Sequence, residues 1–258
     1  MKVKKFHQFV VLEKGLVNTA IIDFLKGNIY QIGNDIIDKF LDGNYQEIGE
    51  FIHGLEEEEL IFEVEKKDWV PSISFEKNED ESFQLEIEEG VDLDLILRRF
   101  RRFKISGIIY NGTELPEGLP SFVEFIHHNR SYNDCLELTK VESRLEKIDE
   151  HFYRFNRNYN SCWGKKVAVT KDGKIRPCIH SRIVIGDLGA DNIEKIVEEA
   201  KEYWKITKDN VEKCSVCELR YACFDCREIA FKESGNLLAA NPYCKYDPLK
   251  GAWSEENK

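Results

Sequence analysis

The apolar positions near the start of the chain follow the spacing of short strands and then of helices. The strands are predicted at 8–12, 18–24 and 28–32, and the helices at 36–41 and 48–61. Gly15 and Gly27 lie in the turns between the strands. Three strands followed by small helices predict a compact winged-helix-like unit.

The middle of the chain alternates strand and helix patterns. Strands are predicted at 72–76, 83–88, 105–110 and 135–141, and helices at 93–103 and 121–128. This alternation predicts a small α/β segment that is too short to close an eightfold barrel. Further on, a hairpin at 165–178 turns at Lys171–Gly173, and a helix is predicted at Asp191–Trp204. The fold class is therefore mixed, with α+β and α/β parts.

The charge and hydropathy of the chain indicate which kinds of partner it is unsuited to bind. Acidic residues outnumber basic residues by 48 to 37 among 258, which gives a formal net charge of −11. This balance disfavours nucleic acid and anionic membranes as partners. The apolar stretch Phe9–Leu12 is too short for a signal peptide, and no stretch approaches the roughly 18 apolar residues of a membrane span. We therefore expect a cytoplasmic protein, in which clustered cysteines bind metal more often than they form disulfides.

Seven of the eight cysteines form one spaced pattern in the C-terminal part of the chain. They are Cys162, Cys178, Cys214, Cys217, Cys223, Cys226 and Cys244. Two C-x2-C pairs separated by five residues bring thiolates to one centre, either a tetrahedral zinc ion or an iron–sulfur cluster. Spacing alone does not separate the two metals.

The hairpin and the cysteine string together resemble a SPASM domain, whose seven cysteines are spaced around a glycine that corresponds to Gly173. The resemblance implies two auxiliary [4Fe-4S] clusters. By matched position, it assigns three cysteines to the first cluster and four to the second. These are Cys162, Cys178 and Cys226 for the first, and Cys214, Cys217, Cys223 and Cys244 for the second.

Two features depart from the SPASM pattern. The family usually has three residues before its fourth clustered cysteine, whereas two separate Cys223 from Cys226. The fourth ligand of the first cluster is also not evident: Cys135 and His180 are candidates, and an open site or a peptide group are the alternatives. The alternative for Cys135, which the residue pattern favours, is a buried strand thiol without a ligand role, and the alternative for His180 is a hydrogen-bonded structural histidine.

A wider resemblance is to the peptide maturases of grasp-with-spasm systems. The matched strings are TAIIDFLKGNIYQIGNDIIDKF, YWKITKDNVEKCSVCELRYACFDCRE and CKYDP. Such maturases carry a radical S-adenosylmethionine (SAM) barrel with a C-x3-C-x2-C motif, which this sequence does not contain, since its first cysteine is Cys135. We therefore expect no SAM as a cofactor, and an ATP-grasp ligase or a radical SAM enzyme as a partner.

The resemblance also implies that the N-terminal unit binds the leader of a precursor peptide. The peptide would add a strand to the edge of the third strand, and its apolar side chains would pack on the last helix. The residues implied are Ile29, Tyr30, Gln31, Ile32, Phe51 and Leu55. The alternative is a small domain without a ligand.

The sequence thus predicts three domains: a leader-recognition unit at 1–67, a shortened radical SAM-like α/β segment at 68–155 and a SPASM domain at 156–258. The expected function is an accessory component of ribosomal-peptide maturation that carries two clusters and does not cleave SAM. The sequence leaves open whether the protein is a catalyst. The alternative is a zinc-stabilised scaffold that joins other proteins.

Overall fold

The computed structural model describes residues 2–65, 71–73, 75, 80–114, 124–129, 131–139 and 147–254. Its strands are β1 (Lys2–Phe6), β2 (Val10–Lys14), β3 (Asn18–Asp23), β4 (Asn28–Gly33), β5 (Ile61–Glu65), β6 (Phe83–Glu88), β7 (Ile105–Asn111), β8 (Phe125–His128), β9 (Lys166–Val169), β10 (Lys174–Arg176), β11 (Gly186–Asp187), β12 (Tyr246–Asp247) and β13 (Ala252–Trp253). Its helices are α1 (Asn34–Leu41), α2 (Gly49–Glu57), α3 (Leu93–Arg99), α4 (Tyr132–Leu138), α5 (Glu150–Asn158), α6 (Ile193–Trp204) and α7 (Arg227–Ser234). This content agrees with the mixed fold class predicted from the sequence. Within the described ranges, none of the helices combines the length and the hydropathy needed to cross a bilayer.

The N-terminal unit is built on an antiparallel sheet in the order β2-β3-β4, which confirms the three predicted strands. The β3–β4 turn uses Gly27 at φ +71°, a conformation that glycine adopts without steric cost. One face of the sheet packs on α1 and α2 in a core that includes Ile21 and Ile37. The predicted helix at 48–61 is shorter than expected, because Glu59 adopts φ +57° and Ile61 begins β5, which pairs with β1.

The middle of the chain forms a six-stranded sheet in the order β11-β10-β9-β6-β7-β8. The strands β6 and β7 are parallel and are connected through α3, while β8 and β9 extend the sheet in parallel on either side. From β9 the chain turns through Gly173 into the antiparallel β10, so the predicted hairpin is confirmed. The parallel strands of the middle segment and the hairpin that follows it therefore share one sheet.

Successive side chains along these strands point to opposite faces of the sheet, and the two faces differ in polarity. Leu85, Ile108 and Val167 lie on one face and pack in a core with α3 and α6. Glu86 and Lys166 lie on the other face, where they are only 8% and 9% exposed. Because two charged residues are covered there, this second face is polar and buried.

Two predictions for the middle segment were wrong. Phe125–His128 was expected to be helical but forms β8, because these residues pair in parallel with β7. Residues 135–141 were expected to be a strand, but Cys135 lies in α4, which begins with a capping box formed by Ser131 and Asp134. Residues 121–123 and 140–146, together with 74 and 76 of the strand predicted at 72–76, lie outside the described residues.

A third core joins the N-terminal sheet to the cysteine-rich segment. Ile22 of β3, Tyr153 of α5, Tyr221 and Tyr246 all belong to it. The sequence pattern did not predict α5, because its fully covered positions are the polar Tyr153 and Asn156 instead of aliphatic residues. The three predicted domains are thus in contact with one another, and their predicted bounds stay predictions.

Candidate metal centre

All eight cysteines lie in the described part of the chain, and each is a thiol. Four of them line one largely enclosed cavity of about 100 Å³, namely Cys135, Cys162, Cys178 and Cys226. His180 lines the same cavity. The structure therefore brings the three cysteines assigned to the first cluster together with both candidates for its fourth ligand.

Local hydrogen bonds fix the turn that carries Cys162. The side-chain oxygen Oδ1 of the buried Asn160 accepts the backbone N–H groups of Cys162 at 2.9 Å and Trp163 at 2.8 Å. The amide nitrogen of Asn160 donates to Asp225, the residue before Cys226, at 2.9 Å. One asparagine thus connects the segments that carry two thiols of the cavity.

The thiols of the first group perturb one another. The hydrogen bond from Cys226 lowers the pKa of Cys162, while the same contact and burial raise the pKa of Cys226. Burial raises the pKa of Cys178. The contact between Cys162 and Cys226 therefore favours the thiolate form of Cys162. The thiolate is the form in which cysteine binds a metal.

A buried ion pair forms the opposite, polar part of the cavity lining. Lys166 Nζ lies 3.1 Å from Glu86 Oε2, and each side chain is 11% exposed. Burial opposes the charge of Lys166, but Glu86 and the sulfur atoms of Cys162 and Cys178 together raise its pKa. The lysine therefore stays an ammonium ion beside the thiols.

The remaining four motif cysteines, Cys214, Cys217, Cys223 and Cys244, form a second group. Within it, the sulfur atom of Cys223 acts electrostatically on each of the other three. Burial raises the pKa of Cys214 to about 11 and that of Cys217 to about 12. Burial also raises the pKa of Cys244. The C-x2-C turn itself is a short 3-10 helix in which Cys217 N–H donates to Cys214 O at 2.9 Å.

The second group also encloses a lysine. Lys208 is 6% exposed, and its Nζ donates to Phe224 O at 3.3 Å. Burial opposes its charge, yet the neighbouring sulfur atoms of Cys223 and Cys214 raise its pKa. Each thiol group therefore has one buried ammonium ion beside it.

The chemistry of the donors fits an anionic metal group at both places. Four thiolates around iron or zinc leave a net negative charge on the centre, and a buried negative centre needs a compensating cation. Lys166 and Lys208 supply that cation. As they stand, no three Cys, His, Asp or Glu side chains in the described residues have the geometry to hold a single metal ion.

The turn between β2 and β3 contacts the C-x2-C turn directly. Leu16 N–H donates to the backbone oxygen of Val216 at 2.9 Å, between Cys214 and Cys217. A methyl group on Gly15 would lie only 2.7 Å from the backbone nitrogen of Glu218, so only glycine allows this approach. The N-terminal unit is therefore docked on the second thiol group.

The residues predicted for peptide binding lie in different environments. Leu55 is 4% exposed in the N-terminal core, and Tyr30, Ile32 and Phe51 pack partly against the same core. Ile29 contacts the core shared with the cysteine-rich segment. The side chain of Gln31 donates to Glu218 at 2.6 Å and to Tyr246 at 2.9 Å.

Sequence reasoning missed the polar residues that surround the thiols. Lys166 was hidden because a lysine at the start of a strand ordinarily faces solvent, and Lys208 because it stands in a charged segment, KDNVEK. Alternation in FQLEIE did place Glu86 on the face opposite Leu85, and this was the one available signal. What covers that face depends on residues far away in sequence.

No protein-family model matches the chain. Curated proteins that match it include AdoMet-dependent heme synthases of three organisms. The protein of Methanosarcina barkeri is 33% identical over 85 residues, which are 32% of this chain and 24% of that protein. The proteins of Nitratidesulfovibrio vulgaris and Oleidesulfovibrio alaskensis are 24% and 28% identical over 84 and 85 residues, 32% of this chain in both cases and 23% and 22% of the relatives.

The match thus covers about a quarter of the length of these relatives. It supports a relationship to the radical SAM/SPASM family over about a third of the chain. This relationship also supports iron–sulfur clusters as the groups that the cysteines bind.

Proposed function

We propose that this protein carries two [4Fe-4S] clusters and serves as an accessory component of a peptide-maturation system. The observation that carries the proposal is the division of the seven motif cysteines into two groups, each with its own buried lysine. Cys162, Cys178 and Cys226 bind the first cluster in this proposal. Cys214, Cys217, Cys223 and Cys244 bind the second.

The cavity supports iron–sulfur clusters over zinc. Zinc holds its sulfur ligands at about 2.3 Å, so the thiolates around a zinc ion close on one another. Four thiols that line an enclosed cavity of about 100 Å³ leave room for a group larger than a single ion. Clusters of this type supply reversible one-electron transfer when bound.

The N-terminal unit is proposed to bind the leader of a precursor peptide. The sheet order supports this proposal, because β4 is an edge strand and can accept another strand. The proposed contacts of the peptide side chains are Tyr30, Ile32 and Phe51, which are all partly exposed. A radical SAM enzyme or an ATP-grasp ligase would then act on the bound precursor.

The metal content tests the first part of the proposal. Protein purified without oxygen should contain about eight iron and eight sulfide per chain, with a broad absorption band near 400 nm. In the paired variant Cys214→Ala/Cys217→Ala, iron and sulfide should fall to about half. Zinc without sulfide would refute the two clusters and favour the zinc-stabilised scaffold.

Peptide binding tests the second part. A fluorescent precursor peptide encoded near this gene should bind the cluster-loaded protein with a saturable change in anisotropy. Phe51→Ala should weaken binding, whereas Phe62→Ala, a matched change at a residue 52% exposed on β5, should not. Equal effects of the two substitutions, or no binding to any such precursor, would refute the leader-binding function.

The names of the curated relatives support a second candidate, a role in heme synthesis. This candidate predicts that added heme or a heme precursor binds the protein in a ratio of about one to one. The Soret band would shift on binding. Unchanged porphyrin spectra would remove this candidate.

A further inference from the structure

Helix α4 is capped at its N-terminus and bonded to a distant part of the chain at its C-terminus. At the N-terminus, Asp134 accepts the backbone N–H of Ser131 at 2.7 Å, and Ser131 Oγ accepts the N–H of Asp134. At the C-terminus, the backbone oxygen of Thr139 accepts the buried side-chain amide of Asn241 at 3.2 Å. The orientation of this short helix is therefore set by the structure around it.

One face of α4 is turned toward the first thiol group. Tyr132 and Cys135 are three residues apart and share this face. The Tyr132 ring meets the His180 ring edge-on at 6.3 Å, and Lys232 Nζ lies 3.9 Å from the centre of the Tyr132 ring. These contacts hold the face against the loop after Cys178 and against α7, and Cys135 lines the cavity as a result.

We infer that Cys135 is the fourth ligand of the first cluster. The inference rests on the proposed function, because it assumes that a cluster occupies this cavity. A [4Fe-4S] cluster is ordinarily held by four cysteine thiolates, and the cavity presents four thiols. The fourth one comes from the middle segment and not from the cysteine motif itself.

The consequence concerns what the first cluster can do. Four thiolates give every iron atom a protein ligand, so no iron is left open to a peptide or another small molecule. His180 lines the same cavity and packs on Tyr132, which orients the wall that carries Cys135. The first cluster is therefore closed, and a catalyst that binds substrate at an open iron is excluded.

The experiment compares the cluster-loaded full chain with Cys135→Ala and His180→Ala. Electron paramagnetic resonance of the reduced proteins is recorded with and without cyanide, which binds an iron atom that lacks a protein ligand. The spectrum of the unsubstituted protein and of His180→Ala should not change with cyanide. Cys135→Ala should either respond to cyanide or lose one iron, in which case the oxidised protein should give the signal of a three-iron cluster.

The outcomes separate the inference from the proposed function. A protein without iron and sulfide fails the proposed function itself. A protein with two clusters whose unsubstituted form responds to cyanide overturns the inference alone, as does loss of the first cluster in His180→Ala with no effect of Cys135→Ala. If Cys135→Ala does not fold, the unsubstituted protein and His180→Ala still decide, since a cyanide response in either one overturns the inference.

Discussion

The buried pair of Lys166 and Glu86 allows a quantitative prediction about stability. At a distance of 3.1 Å, two unit charges attract by about 5 kcal/mol when the effective dielectric constant is about 20. Lys166→Met removes the cation and keeps a side chain of similar length. Glu86 is then left buried with the hydrogen bond from the Ile179 N–H at 3.2 Å and without its counter-ion.

We expect Lys166→Met to lower the free energy of unfolding by about 3 to 5 kcal/mol, because an uncompensated charge stays buried. The double variant Glu86→Gln/Lys166→Met removes both charges and should come back to within about 2 kcal/mol of the unsubstituted protein. A matched surface control is Lys205→Met. Lys205 pairs with Glu202 at 3.0 Å, but both side chains are more than 60% exposed, so its loss should cost less than about 1 kcal/mol.

Urea unfolding of the cluster-free, reduced protein measures these differences. The buried Trp163 and Trp204 report the transition by their fluorescence. The reasoning is refuted if Lys166→Met costs no more than Lys205→Met. It is also refuted if the double variant is as unstable as Lys166→Met, since the loss would then come from packing and not from the unpaired charge.

Three further predictions concern other parts of the molecule. Lys208→Met should lower the reduction potential of the proposed second cluster in a redox titration, because a buried positive charge favours the more negative reduced state. An unchanged potential would mean that the lysine does not act on the cluster. Burial lowers the pKa of His7, so just below pH 6.5 the unfolded chain binds more protons than the folded chain. The free energy of unfolding should therefore fall as the pH decreases through that range. His7→Gln should flatten this part of the curve of stability against pH. Gly15→Ala should destabilise the protein by about 1 to 3 kcal/mol through its clash with Glu218, whereas Gly54→Ala, inside α2 with nothing within 4 Å, should be neutral or stabilising in the same thermal melts.

The sequence pattern alone predicted those elements that are determined by residues close to one another in the sequence. The strands β2 to β4, the hairpin at Gly173 and the helix α6 were predicted because alternation, turn residues and helical spacing agree there. The element β8 was misassigned because Phe125–His128 is only four residues long and only its first two residues are apolar, so its pairing with β7 alone makes it a strand. The strand predicted at 135–141 was wrong because the capping box at Ser131 begins a helix there.

The candidate site was predictable in its donors but not in its surroundings. Cysteine spacing identified the seven motif thiols, and the resemblance to a SPASM domain implied their division into two groups. The cavity shared by Cys135 and Cys162 and the burial of Lys166 depend on how α4 and the β6–β9 strands pack. Such long-range packing leaves no periodic trace in a single sequence.

The hydrogen bond from Leu16 to Val216 couples the N-terminal unit to any metal group that the second thiol group binds. A metal group that orders the turn from Cys214 to Cys217 also orders the acceptor of this bond, so its binding energy is shared with the N-terminal unit. By reciprocity, a peptide that tightens the N-terminal sheet must strengthen retention of the metal to the same degree. Under the proposed leader-binding function, a chain that has lost its second metal group would therefore bind its precursor more weakly than the loaded chain.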